Sequence, residues 1–227
     1  MSDFFELPRP REDDEKYMEH YRDAYARVCR QWDAIAYVRN EYLTEELIRA
    51  SVSRFPKAIL LLKPEYWTPG ICVTAVMANG FASSDLKDEE KKIILTRAVG
   101  KNPTAIGRID AKDQLPELKS LAIEKMPGCI NLCRFQSDAE EEAMQLLAVR
   151  NDPRVIYVMS RPKLQTIKAA LKTEEDFGLL LSTLQEMGNG IFPVLKPLEL
   201  GSIIEELGLE LRPKAIIPYL KISERRI

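Results

Sequence analysis

A chain of 227 residues with 45% hydrophobic and 30% charged side chains has the composition of a folded protein, which excludes wholesale disorder. Lys and Arg total 33 against 35 Asp and Glu, a formal charge of −2, so no strong net field holds nucleic acid or an anionic membrane, and only a local basic patch would. One histidine and ten glycines exclude histidine-rich metal sites and most glycine-loop nucleotide folds.

The first residues, Met1-Ser-Asp-Phe-Phe-Glu-Leu-Pro8, lack the basic and then apolar regions of a secretory signal. No run approaches the 18 apolar residues of a membrane span, so no membrane partner is expected. Residues 1–12 read as an irregular arm, with Phe4 and Phe5 as adjacent aromatics suited to docking on a partner. A long capping helix is expected over residues 13–42. It carries Tyr17, Tyr21, Tyr25, Val28, Trp32 and Ile35 at three- and four-residue spacing, a packing stripe. Tyr17, Tyr21 and Tyr25 are also candidate partner-binding residues, and His20 lies on the polar side of this helix.

From residue 43 to 220 one grammar recurs. Leu47-Ile-Arg-Ala-Ser-Val-Ser-Arg-Phe-Pro56 is an apolar run ending in X-Pro and followed by Lys-Ala-Ile. Runs ending at Pro103, Pro127 and Pro153 share it. Asn-Gly replaces X-Pro at 79–80 and 189–190, and Arg212-Pro213-Lys-Ala-Ile repeats the opening phrase. The turns fall near 56, 80, 103, 127, 153, 190 and 213, at intervals of 24, 23, 24, 26, 37 and 23. The long interval holds an expected inserted helix near 162–172, and a basic tail occupies 221–227.

Each unit reads as a helical hairpin. The residue before proline is pushed out of the α region, and proline then opens the second helix, where its missing N–H costs nothing. Ser137-Asp-Ala-Glu140 and Thr173-Glu-Glu-Asp176 resemble capping boxes, and acids at Asp88 to Glu90 suit a helix start. A single unit cannot bury its apolar face alone, so the units must stack. The fold class is therefore all-α: tandem helical-hairpin repeats forming a short α-solenoid behind a longer N-terminal capping helix.

The phrases Ile94 to Ile106 and Leu146 to Ile156 also resemble an uncharacterised tandem α-helical repeat of about 24 residues. That repeat is a domain of unknown function found in intracellular bacterial pathogens and large viruses. The chain departs from it by preferring proline to glycine at the turn. The resemblance implies a helical array and a viral or host-interaction setting, with no activity attached.

No phosphate-binding loop, dinucleotide fingerprint, zinc-protease or serine-hydrolase motif is present, so no catalytic residue, metal or cofactor is expected. Cys29, Cys72, Cys129 and Cys133 imply a reducing, cytoplasmic or otherwise intracellular setting. Cys129 and Cys133 lack the further soft ligands a metal half-site requires and read as small packing residues. The composition favours a non-enzymatic protein–protein interaction or adaptor module. The alternative is a nucleic-acid-binding repeat using a basic stripe beside the turns: Arg54, Lys57, Lys101, Lys125, Arg150, Arg154, Arg212 and Lys214. The same residues have a simpler structural use, since cations at helix C-termini complement the dipole.

Overall fold

The computed structural model describes residues 7–78, 81–159 and 162–170. Their regular structure is entirely helical, with no strand among the described residues. The α-helices are α1 (Glu15–Val28), α2 (Glu45–Arg54), α3 (Pro69–Met77), α4 (Asp88–Lys101), α5 (Pro116–Lys125), α6 (Asp138–Asn151) and α7 (Leu164–Ala170). Short 3₁₀ segments join them. The turns near 190 and 213, the Asn79-Gly80 turn, the cap at Thr173, the 221–227 tail, Phe4 and Phe5 lie outside the described residues.

The capping helix expected over 13–42 is shorter than the sequence pattern suggests. Asp14 caps α1 by accepting from the Tyr17 N–H at 2.9 Å, and the helix ends at Val28. Two 3₁₀ segments, Ala34–Tyr37 and Asn40–Tyr42, then carry the chain back. A continuous helix would hold Glu41 roughly 36 Å from Tyr17. Instead Tyr17 Oη donates to Glu41 O at 2.9 Å, and Tyr17 packs against Tyr42 with ring centroids 4.8 Å apart. The return also lets Ile35, Tyr42 and Leu43 be buried, which an extended helix would leave beyond its neighbour.

The X-Pro turns act as expected on the residue before proline. Phe55, Asn102 and Asp152 leave the helical region, with φ between −147° and −133° and ψ between 86° and 104°. The segments that the prolines open are 3₁₀ rather than α. Pro56–Leu61, Pro103–Arg108, Pro127–Leu132 and Pro153–Tyr157 are five or six residues long. That suits i→i+3 bonding, as in Leu62 N–H to Ile59 O and Ile109 N–H to Ile106 O.

Burial keeps the same register from helix to helix. Ile71, Cys72, Ala75 and Val76 of α3 are buried, as are Ile94, Leu95, Ala98 and Val99 of α4. After the prolines, Ala58 with Ile59, Ala105 with Ile106, Cys129 with Ile130, and Val155 with Ile156 are buried in turn. Thr44, Thr68 and Ser137 cap α2, α3 and α6 through side-chain oxygens, satisfying N–H groups that a helix start leaves open.

The chain divides into two compact units, where the sequence pattern suggests one continuous array. One is Met1–Lys125 with Leu132–Arg134, and the other is Met126–Asn131 with Phe135–Ile227. In the first, each α-helix from α1 to α5 packs on the next in sequence. In the second, α7 packs on α6 and on Pro153–Tyr157, at the place expected for an inserted helix.

One core position carries a testable anomaly. Ser51 is fully buried, yet its Oγ has no hydrogen-bond partner among the described residues. It occupies the register position filled by Ala75 and Ala98 in the next helices. A buried unpaired hydroxyl costs about 1–3 kcal/mol. Ser51→Ala is therefore expected to raise stability by about 1 kcal/mol in chemical denaturation; a loss of stability would show that the hydroxyl is bonded.

Candidate interaction surface

The tyrosines that the sequence marks as partner contacts are mostly core residues. Tyr17 and Tyr21 are buried, stacked with centroids 6.1 Å apart, and tied to α2's entry by Tyr17 Oη to Glu41 O and Tyr21 Oη with Thr44 Oγ1 at 2.9 Å. Burial, ahead of neighbouring charges, raises both phenol pKa values above the ordinary range. Tyr25 is half-buried against Tyr21. Neither Tyr17 nor Tyr21 is available to a partner, which corrects that part of the sequence reading.

Among the described residues, the exposed large aromatics lie just beyond α1 instead. Trp32 is 49% exposed and Tyr37 is 78% exposed, on either side of the buried Ile35. Arg30 and Arg39 are exposed on the same segment. Beside Trp32, Asp33 Oδ1 is shut from solvent with no partner among the described residues, an uncommon condition for a carboxylate oxygen. Helical spacing assigns Trp32 to the packing stripe, and that inference fails because α1 ends before reaching it.

The basic stripe is only partly free. Arg54, Lys101, Lys125 and Arg150 are exposed in the last turns of α2, α4, α5 and α6, where they complement the helix dipoles. Lys57 pairs with Asp85 at 3.0 Å. Arg154 pairs with Asp152 at 3.0 Å, and its guanidinium holds the Asp152 carboxyl below the usual range. Arg150 and Arg154 belong to the second unit and the other four to the first. Arg212 and Lys214 lie outside the described residues.

One polar cluster has no sequence signature. Ser83, almost fully buried, has its Oγ 2.8 Å from Asp110 Oδ2 and 2.7 Å from Asp113 Oδ2, and Lys91 Nζ meets Asp113 Oδ1 at 3.1 Å. The bonded pairs stand 22 to 30 positions apart, so only the fold joins them. The cluster links the 3₁₀ segments Ser83–Asp85 and Ala111–Asp113 to the first turns of α4.

Burial pushes the Asp113 carboxyl up, but the Ser83 hydroxyl and the Lys91 ammonium more than offset this, leaving it below its ordinary value. A depressed folded-state value means stability present above the unfolded carboxylate pKa and lost as pH falls through the folded one. Lys91→Met is accordingly expected to lower the melting temperature at pH 7. The deficit should shrink as the pH is taken down through Asp113's titration, a trend that thermal unfolding across pH 2.5 to 7 would follow. A deficit independent of pH would mean that the Lys91 stem, not its charge, is what matters.

Other chemistry is sparse among the described residues. Burial pushes the Cys72 thiol up to about 12, which leaves no thiolate at neutral pH, and burial raises Cys129 as well. Cys129 and Cys133 are both buried. No three His, Cys, Asp or Glu side chains among the described residues gather as metal ligands. A shallow recess lined by Pro56, Ile59, Phe81 and Leu86 has room for about one water rather than a metabolite. No described helix is long and apolar enough to cross a membrane.

Compared with known protein families, curated proteins and solved structures, the chain matches none.

Proposed function

We propose that this chain is a non-enzymatic protein-interaction module that presents the Trp32–Tyr37 segment to its partner. The observation that carries this reading is a contrast within one unit. Tyr17, Tyr21, Tyr42, Tyr66 and Trp67 are all at most 7% exposed, while Trp32 and Tyr37 stand in solvent between two exposed arginines. Tryptophan, tyrosine and arginine are the residue types on which binding energy concentrates at protein interfaces.

The array reading supports the same function. Within the first unit, helices α1 to α5 each pack on the next, and α3 and α4 hold small residues at a fixed register, as the stacked units of a short α-solenoid require. Thr166, Ile167 and Ala170 repeat the spacing of Ile71, Cys72 and Ala75, so α7 reads as a further unit rather than an insertion.

Affinity capture from native cells with the full chain and with a Trp32→Ala/Tyr37→Ala variant tests the proposal. The expected result is a discrete protein set retained by the wild type and reduced about tenfold or more by the variant, given roughly 1.4 kcal/mol or more lost from such anchors. Equal capture by a variant with unchanged circular dichroism would refute it. The nucleic-acid reading keeps six exposed cations among the described residues, of which Lys57 and Arg154 sit in surface ion pairs. Oligonucleotide binding with a steep salt dependence would favour it instead.

A further inference from the structure

We draw no further inference here: the strongest candidate, the Ser83–Asp110–Asp113–Lys91 cluster where two 3₁₀ segments meet the first turns of α4, consists of groups that pair with one another, and nothing in the structure points to a ligand there.

Discussion

Trp67→Ala is expected to cost about 4 kcal/mol, lowering the melting temperature by on the order of 10 °C. Trp67 is 3% exposed, and its Nε1 donates to Ile59 O at 3.0 Å. Its own carbonyl accepts from Arg97 at 2.6 Å and from the Cys72 thiol at 3.5 Å, so the residue ties the Pro56–Leu61 segment, α3 and α4 together. Truncation removes a buried indole and leaves a cavity that a close-packed interior closes over only in part. Trp67→Phe separates the two contributions, because it keeps most of the ring but removes the donor. Ile59 O retains its bond from the Leu62 N–H, so this variant is expected to lose only about 1–2 kcal/mol. Equal losses in urea titrations of the two variants would assign the effect to the hydrogen bond rather than to packing.

Gln114→Met is the second large effect, about 2–3 kcal/mol, although it preserves side-chain length. Gln114 is 2% exposed. Its amide donates to Ile106 O at 2.9 Å and Ile109 O at 3.1 Å, and its Oε1 accepts from the Arg134 N–H at 2.6 Å. Methionine fills the space but leaves Ile109 O and the Arg134 N–H without their Gln114 partner, while Ile106 O keeps its bond from the Ile109 N–H, so the cost isolates the polar network from volume. A neutral result by thermal unfolding would mean that water replaces the bonds lost at Ile109 O and the Arg134 N–H.

Trp67 and Gln114 also show why the fold is only partly legible in the sequence. Each sits eight residues after the isoleucine whose carbonyl it binds, Ile59 or Ile106, and each of those follows a proline by three. The turn phrase is readable because Pro-x-Ala-Ile is local and its letters repeat. The residue that clamps it is not, because an indole and a carboxamide reach the same carbonyl with different letters. The X-Pro boundaries and the Ser137 cap likewise act within a few residues and are recoverable.

Features that depend on tertiary contacts are not. The end of α1 depends on Tyr17 and Tyr21 finding Glu41 and Thr44 more than twenty residues away. Extending the helical period past Val28 therefore misplaces Trp32. The 3₁₀ form of the post-proline segments reflects their length, which periodicity does not report. The interaction surface itself is invisible for a general reason: an aromatic at helical spacing looks the same whether the helix continues beneath it or stops short.

A site-specific photo-crosslinker decides whether the Trp32–Tyr37 segment is the surface that meets a partner protein. Tyr37→benzoylphenylalanine and Lys101→benzoylphenylalanine would be expressed separately in native cells, irradiated and compared. Position 37 stands on the aromatic surface, and position 101 is an exposed cation of the alternative stripe. Discrete protein adducts are expected from position 37 and few from position 101. Adducts from position 101 alone, or nucleic acid as the crosslinked species, would contradict the proposed role of the aromatic segment.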